Sequence, residues 1–416
     1  MIRKSILLSL FGLFVAAPAF AAEGGVTRGL ITNTGGVLAV LAANAGLWFW
    51  LEKRFGWKLF HFIPPLLFIY LFPAIFSNAG LIPGKSPLYD WMGEYILPVF
   101  LIILLLDVNV GATVRVIGKG IFVMLIGTLG VVIGAPIGYF IVKGWLGPEA
   151  WKGFGTLAGS WIGGTGNMAA VAEGIHTPGT EFGLAVVADN VVYLIWLPIL
   201  LQSKNMAKWF HKFTRLPEAN LSKLQEAAKE LTLEKPPLAM RHLIYLTAIG
   251  FGGAWIAGQI ASVIPQAPPV FTTSTYSILL VSVFGIALSF TKARMIPGSH
   301  ELAMALVYLF VSRMGAKTVI AGLVDQAIPF VAGAYIWIFI HGAFLLFAAR
   351  LFRVDVHTAA IASAANIGGA ASAPIVASFH DERLVPVAIL MALVGYAVGT
   401  AAAFGTAWLC HQVSLI

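Results

Sequence analysis

Residues 161–172 read Trp161-Ile-Gly-Gly-Thr-Gly-Asn-Met-Ala-Ala-Val-Ala172, a glycine-rich stretch inside an apolar segment. Residues 366–377 read Asn366-Ile-Gly-Gly-Ala-Ala-Ser-Ala-Pro-Ile-Val-Ala377 and align with the first stretch without gaps. A shorter match joins Ile82-Pro-Gly84 to Ile296-Pro-Gly298. Internal symmetry of this kind is typical of transporter folds, and chance similarity is the alternative because Gly and Ala are common in membrane helices. We therefore predict two repeated halves, each with a glycine-rich stretch before its last membrane span.

The composition predicts that most of the surface faces lipid. Apolar residues make up 59% of the 416 residues and charged residues only 11%, whereas soluble proteins carry roughly 25% charged residues. So few charges cannot cover a water-facing surface, and an all-α membrane protein is predicted. We attribute the net charge of +8 to basic cytoplasmic loops and expect no nucleic-acid partner. The single cysteine, Cys410, excludes a disulfide framework or a cysteine metal cluster.

The first 22 residues have the pattern of a secretory signal peptide. A basic start at Arg3 and Lys4 precedes an apolar run over 6–14 and a small-residue cleavage site at 19–21. The apolar run is too short to span a bilayer comfortably, and an uncleaved signal anchor is the alternative. In both cases the chain from residue 25 onward begins outside the cytoplasm.

About ten transmembrane helices and two glycine-rich segments follow. A span needs about 20 apolar residues, and the chain offers such runs near 31–51, 59–80, 91–110, 118–143, 182–202, 241–264, 272–290, 300–322, 327–350 and 384–409. The glycine-rich segments cover 151–174 and 355–379. The predicted organisation is a signal peptide over 1–22, an N-terminal repeat over 25–202, a cytoplasmic linker over 203–240 and a C-terminal repeat over 241–416.

The distribution of Lys and Arg predicts the topology. If each glycine-rich segment is a re-entrant hairpin, each half crosses the membrane five times and the two halves are inverted. Eighteen Lys and Arg residues then lie in the cytoplasm and four outside, as the positive-inside rule requires. Broken helices that span the membrane are the alternative, but they would place the basic linker outside. The hairpins would enter from opposite faces, so their tips can meet near the midplane.

The glycine-rich segments are the predicted substrate site. Irregular backbone survives in a bilayer only against protein or a wet cavity, and the half-helix that follows offers amide groups and a positive dipole end to an anion. Close helix packing through small residues is the alternative. The predicted substrate-binding residues are Ser160, Gly163, Gly164, Thr165, Gly166, Asn167, Arg313, Ser363, Asn366, Gly368, Gly369 and Ser372.

Acidic residues within the spans are the candidates for a coupling-ion site. Asp189 and Asn190 lie in an otherwise apolar span, where a carboxylate costs about 2.5–3.5 kcal/mol on insertion scales and normally faces a polar interior. Asp189 could ligate Na⁺ or carry a proton, and a structural acid is the alternative. Asp107 and Asn109 complete the predicted ion site. Arg313 is predicted either to pair with Asp107 or to hold a substrate carboxylate.

No cofactor and no enzymatic activity are predicted. The glycine-rich stretch lacks the Lys-Ser/Thr of a phosphate-binding loop, so ATP is not the expected driving force. Four histidines, His61, His341, His357 and His380, show no metal-ligand spacing and are interpreted as packing or interfacial residues.

The stretch from Gly159 to Ala172, the span that contains Asp189 and Asn190, and the second glycine-rich stretch from Asn366 together resemble the YjcL-like family of uncharacterised bacterial membrane proteins. That family is grouped with the cation:proton antiporter and anion transporter superfamily. The first stretch also resembles the hairpins of sodium-coupled citrate and glutamate carriers, which implies elevator-type movement and homodimers. The second copy has Gly368-Gly369-Ala370-Ala371 and so departs from the Gly-Gly-x-Gly pattern.

The sequence therefore predicts a transporter in the cell inner membrane. The leading hypothesis is a Na⁺- or H⁺-coupled symporter of a small organic anion. The second is a cation/proton antiporter that uses Asp189, with Arg313 as the structural partner of Asp189. A membrane scaffold or sensor that transports nothing is the third.

Overall fold

The computed structural model describes residues 29–56, 65–108, 117–216, 236–321 and 323–416. Several predictions lie wholly or partly outside these ranges, including the signal peptide, the spans near 59–80 and 91–110, His61, the ion-site residue Asn109 and most of the cytoplasmic linker. The described residues form helices and no β-strand, which agrees with the all-α prediction.

Fourteen helices carry the argument, and we number them in chain order. They are α1 (Thr34–Phe55), α2 (Pro65–Asn78), α3 (Pro87–Leu105), α4 (Lys119–Val142), α5 (Ala150–Gly174), α6 (Gly179–Gln202), α7 (Ala207–Thr214), α8 (Met240–Ala261), α9 (Thr273–Ser289), α10 (Ser299–Ala316), α11 (Leu323–Phe352), α12 (Val356–Ile367), α13 (Gly369–His380) and α14 (Val385–Ser414).

Seven helices in the described part of the chain are long and apolar enough to cross a membrane. They are α1, α3, α4, α6, α8, α11 and α14. Helices α4 and α14 are each extended by one adjoining turn, and α6 continues through α7. The other three predicted spans fall on α2, α9 and α10. The first two are apolar but shorter, and α10 carries His300, Glu301 and Arg313 among its 18 residues. The chain is thus a multi-pass protein, and its described residues are helical.

Side-chain caps account for where several helices begin. Asn33 accepts a hydrogen bond from the Gly36 amide at 2.7 Å at the start of α1, and Asp355 accepts one from the Thr358 amide at 2.8 Å at the start of α12. Such caps satisfy amides that have no partner within the helix. Gly56, with a φ of 51°, ends α1 in the left-handed conformation that glycine adopts easily. Asn33 and Asp355 therefore mark the starts of their helices, and Gly56 marks the end of α1.

The helices pack into two bundles, and each bundle takes helices from both halves of the chain. The first bundle holds α1, α2, α3, α8, α9 and α10, and the second holds α4 to α7 and α11 to α14. Within the first bundle, α10 packs on α1, α2 and α3, while α3 packs on α8, α9 and α10. Helix α3 of the first half therefore packs on three helices of the second half, and α10 of the second half packs on three helices of the first.

An antiparallel pair, α4 and α11, forms the axis of the second bundle. The Trp337 indole donates to the Val131 carbonyl at 2.7 Å, and His341 Nδ1 lies 2.9 Å from the Gly127 carbonyl oxygen. The contacts thus pass from Val131 to Gly127 along α4 as they pass from Trp337 to His341 along α11, so the two helices are antiparallel. His341 is fully buried and bonded on both ring nitrogens, which matches its interpretation as a packing residue.

Helix α5 is a hairpin of two half-helices, which we call hairpin 1. The Thr156 and Thr177 hydroxyl oxygens are 2.9 Å apart, although a straight helix would separate residues so spaced by about 30 Å. A Cβ on Gly159 would lie 2.8 Å from the Asn167 carbonyl oxygen. Since the half-helices lie side by side, the chain doubles back at Gly164, whose φ is 71° and ψ −174°.

Helices α12 and α13 form a second hairpin, which we call hairpin 2. The Nδ1 atoms of His357 and His380, near its two ends, are 3.0 Å apart. The chain turns at Gly368 and Gly369, and Gly369 has a φ of 58°. Both segments that the sequence predicted to be irregular therefore reverse the chain at a glycine.

The two hairpins lie along opposite halves of α4. A Cβ on Gly120, near the start of α4, would lie 2.9 Å from the methyl group of Thr358 in the first turn of hairpin 2. At the other end, a Cβ on Gly333 of α11 would contact both Val142 of α4 and Phe154 of hairpin 1. The open ends of the hairpins therefore lie at opposite ends of the α4 and α11 pair.

Candidate functional site

The tips of the two hairpins meet inside the second bundle. A Cβ on Gly369 would lie 3.6 Å from the Gly164 Cα atom. These two glycines are the turn residues of their hairpins, and they occupy equivalent positions in the repeat found in the sequence. The ring of Tyr396, from α14, lies against both tips, because a Cβ on Gly164 would be 3.1 Å from its Cε1 atom.

Two half-helices begin at this meeting point. The second half-helix of hairpin 1 starts after Gly164, and α13 starts at Gly369. The first amides of a helix have no partner within it, and its N-terminus carries a partial positive charge. Both tips are partly exposed, through Thr165 on hairpin 1 and Gly368 on hairpin 2. The arrangement can therefore present amide donors from two helices to one small ligand.

Two predicted substrate ligands instead hold the tips in place. The Asn167 amide nitrogen donates to the carbonyls of Gly163 at 3.0 Å and Tyr396 at 3.1 Å, and its oxygen accepts from the Thr400 hydroxyl. The Asn366 amide donates to the Met124 carbonyl at 3.0 Å. Both asparagines are at most 1% exposed, so they act as braces for the hairpins.

The remaining predicted substrate residues divide between the interior and the tips. Ser363 is buried and accepts a hydrogen bond from the Trp196 indole at 3.0 Å. Gly163 and Gly166 are buried, whereas Thr165 and Ser372 are partly exposed. The two exposed hydroxyl residues are therefore the side chains of the predicted set best placed to contact a ligand at the tips.

Asp189 lies beside hairpin 1 and is held by two neutral donors. Its Oδ2 accepts from the Ser160 hydroxyl at 2.8 Å, and its Oδ1 accepts from the Trp161 indole at 2.9 Å. Asn190 donates to the Val186 carbonyl of its own helix at 2.8 Å. The structure thus brings the predicted residues Ser160 and Asp189 together, in an arrangement that lacks a cationic partner among the described residues.

Arg313 pairs neither with Asp107 nor with Asp189, so both predicted pairings are wrong. The Arg313 guanidinium binds both carboxylate oxygens of Glu173, at 2.8 and 3.2 Å. Arg313 is 0% exposed, and its charge lies over the Phe310 ring at 4.6 Å. With its charge neutralised by Glu173, this arginine is not available to a substrate carboxylate. The pair instead joins α10 of the first bundle to the last turn of hairpin 1.

Asp107 belongs to a helix end rather than to the site at the tips. Both of its oxygens accept from the Ser299 hydroxyl, at 2.8 and 2.9 Å. Ser299 is the first residue of α10, so the carboxylate lies at a positive helix terminus. Arg313 stands about 20 Å further along the same helix, at 1.5 Å per residue. Asp107 therefore lies beside the N-terminus of α10, and its contacts with Ser299 do not connect it to Asp189.

Sequence reasoning missed three residues. Glu173 closes hairpin 1 onto Arg313, Tyr396 packs on both tips, and the buried Tyr193 hydroxyl lies 3.1 Å from where a Cβ on Gly368 would be. Tyr193 is one helical turn after Asp189, so the spacing of four residues was a usable signal. Glu173 ends the glycine-rich segment, and nothing in its sequence neighbourhood points to a partner 140 residues away.

Comparison with known proteins gives a family and one relative. Residues 39–412 match the family described as "Protein of unknown function (DUF819)". The chain is also similar to the "Uncharacterized membrane protein YjcL" of Bacillus subtilis (strain 168), with 27% identity over 380 residues. That match covers 88% of this chain and 93% of the relative. Together with the apolar helices, it identifies a multi-pass membrane protein.

Proposed function

The chain belongs to the DUF819 family of membrane proteins, and on this premise we propose that it is a secondary active transporter. It carries a small organic anion in symport with Na⁺ or H⁺, as a homodimer in the cell inner membrane. Hairpins 1 and 2 are re-entrant and enter from opposite faces. They belong to two inverted repeats, over 25–202 and 241–416, which together supply ten membrane spans behind a cleaved signal peptide.

The observation that carries this proposal is the meeting of Gly164 with Gly369. Two chain reversals from opposite ends of one bundle place irregular backbone at the same depth. In a bilayer, such backbone is tolerated only where protein or a water-filled cavity satisfies it. Secondary transporters place substrate and ion sites at discontinuous helices near the midplane, and the meeting of the two glycine turns supports a site of this kind.

The two half-helix N-termini favour an anion. Their free amides and positive dipole ends converge, and the hydroxyls of Thr165 and Ser372 supply neutral donors beside them. The anionic preference therefore rests on backbone dipoles, since Arg313 is occupied by Glu173. A ligand held in this way needs no buried cation of the protein.

The two bundles supply the moving parts. Their polar contacts include the Glu173–Arg313 pair, a hydrogen bond from Thr275 to the Gly174 carbonyl at 3.1 Å and one from Thr318 to the Gly179 carbonyl at 3.2 Å. All three tie the end of hairpin 1 or the start of α6 to the first bundle. In an elevator mechanism the first bundle stays fixed and the second moves with the site. These contacts then close the site to one side of the membrane.

The test begins with ligand identification. Purified full-length chain is screened by thermal shift against organic acids, with and without Na⁺, and each stabilising acid is then offered to proteoliposomes under Na⁺ or pH gradients. We expect gradient-dependent accumulation of at least one acid. Gly164→Ala should abolish uptake, whereas Gly252→Ala on α8, where an added Cβ meets nothing within 4 Å, should not. Uptake of the bound acid that depends on no cation gradient would contradict the proposal.

A cation/proton antiporter is the second candidate, and the setting of Asp189 favours it. Within the described ranges this carboxylate lies beside the hairpin tips without an ion-pair partner, held by Ser160 and Trp161 only. A cation or a proton could therefore neutralise it in turn. Dissipation of a pH gradient on addition of Na⁺ or K⁺, with no organic solute present, would select the antiporter.

A further inference from the structure

We propose that the ion carried by Asp189 is a proton, and that Ser160 is the group that accommodates it. The inference rests on the proposed function and deepens it by choosing the coupling ion. It depends on the identities and positions of the donors around one carboxylate.

The first step concerns the indole of Trp161. An indole N–H can only donate a hydrogen bond, so it cannot be a ligand of a metal cation. This donor lies 2.9 Å from Asp189 Oδ1 and points the positive end of its dipole at that oxygen. Trp161 is 0% exposed, and its ring packs on Trp337 at 4.3 Å. Packing therefore holds the indole against Oδ1, where it would repel a bound Na⁺.

The second step concerns the hydroxyl of Ser160, which can donate or accept. When Asp189 is ionised, this hydroxyl donates to Oδ2 at 2.8 Å. When a proton binds, an O–H bond forms at Oδ2 and donates to the Ser160 oxygen. The serine proton then turns away from the carboxylate, and a small rotation of the side chain brings it toward a backbone carbonyl of the preceding turn, an acceptor that helical serines commonly use. Oδ1 keeps its indole donor throughout.

The same two partners thus accommodate both protonation states with only a small rotation of the Ser160 side chain. Buried polar groups are costly when unpaired, so this adaptability removes a barrier to loading and unloading a proton. Sodium instead needs several oxygen ligands. Of the two groups that contact the Asp189 carboxylate, only Ser160 carries an oxygen that could serve as such a ligand.

Infrared difference spectroscopy tests the inference without a known substrate. The full-length chain in Na⁺-free lipid membranes is stepped between pH values, and the carbonyl stretch of newly protonated carboxylic acids is recorded. We expect a band that Asp189→Asn loses and that Ser160→Ala shifts, because the acid then lacks its acceptor. Thr406→Ala, which removes a buried hydroxyl bonded to its own helix, should leave the band unchanged. The titration midpoint should not move as NaCl is added.

A midpoint that falls as NaCl rises would overturn the inference, since Na⁺ would then compete for the carboxylate. An Asp189 band absent from the wild type, or unshifted in Ser160→Ala, would also overturn it. The Ser160→Ala shift serves as the readout if Asp189→Asn fails to fold. If Asp189 binds a proton but the chain transports no solute, only the proposed transporter function is rejected. If Na⁺ drives uptake and competes for Asp189, only the assignment of the proton as coupling ion is rejected.

Discussion

At the scale of single residues, the site depends on backbone that few residues can adopt. Gly164 has a φ of 71° and a ψ of −174°, a region that is essentially restricted to glycine. The same residue lies under the Tyr396 ring and next to Gly369. The glycine therefore serves two purposes, because it reverses the chain and lets the second tip approach.

Replacing Gly164 by alanine should lower the free energy of unfolding by about 1–3 kcal/mol, the usual cost of a residue held in a sparsely populated conformation. The added Cβ would also press on the Tyr396 ring at 3.1 Å. The measurement is the denaturation midpoint of the purified chain in detergent. Gly252→Ala is the matched control and should be neutral or slightly stabilising, because alanine favours a helix interior. Equal midpoints for the two variants would contradict the assigned turn.

At the scale of helices, α3, hairpin 1 and α10 meet at the Glu173–Arg313 pair. A π-helical turn in α3, Met92–Ile96, contains Gly93, and a Cβ on Gly93 would lie 2.9 Å from Arg313 Nη2 and closer still to a Glu173 oxygen. Single π-turns occur frequently at functional sites. Here the turn and its glycine leave room for a bidentate ion pair between the bundles.

Removing one member of this pair should be more harmful than removing both. Glu173→Gln leaves the buried Arg313 charge without its counter-charge, and breaking a buried pair in this way costs about 3–5 kcal/mol. The double variant with Arg313→Gln should recover a large part of that loss. A double-mutant cycle on the unfolding free energy measures the coupling. Additive losses in the two single variants would show that the contact contributes little.

At the scale of the whole molecule, the hairpins define two sides. The ends of hairpin 1 lie at the Val142 end of α4, and the ends of hairpin 2 lie near Gly120. If α4 crosses the membrane, the two pairs of ends face opposite compartments. From the basic residues of the linker and loops we expect hairpin 2 to open to the cytoplasm.

Cysteine labelling in intact cells should therefore distinguish the two ends. In a Cys410→Ala background, a cysteine at the exposed Gly144, before hairpin 1, should react with a membrane-impermeant thiol reagent from outside. A cysteine at the exposed Ser378, in hairpin 2, should react only after the membrane is permeabilised. Labelling of both positions from one side would reject the inverted arrangement. The Cys410→Ala protein without an added cysteine, treated with the same reagent, gives the background.

The sequence by itself determined the helices and the two places where the chain turns back. Both are local properties, since apolar runs predict helices and glycines permit the positive φ of Gly164 and Gly369. The sequence repeat also aligns these two glycines, which lie next to each other in the structure. The inverted topology, the coupling ion and the dimer stay predictions.

Only the tertiary structure decided which polar groups are partners. Arg313 bonds to Glu173 and not to Asp107, and Asn167 bonds to backbone carbonyls instead of facing a ligand. These choices depend on how helices from distant parts of the chain rotate and cross. A single carboxylate or amide in an apolar span shows that a partner is needed, because an unpaired polar group in lipid is costly. The packing of the two bundles determines which group lies within hydrogen-bonding distance.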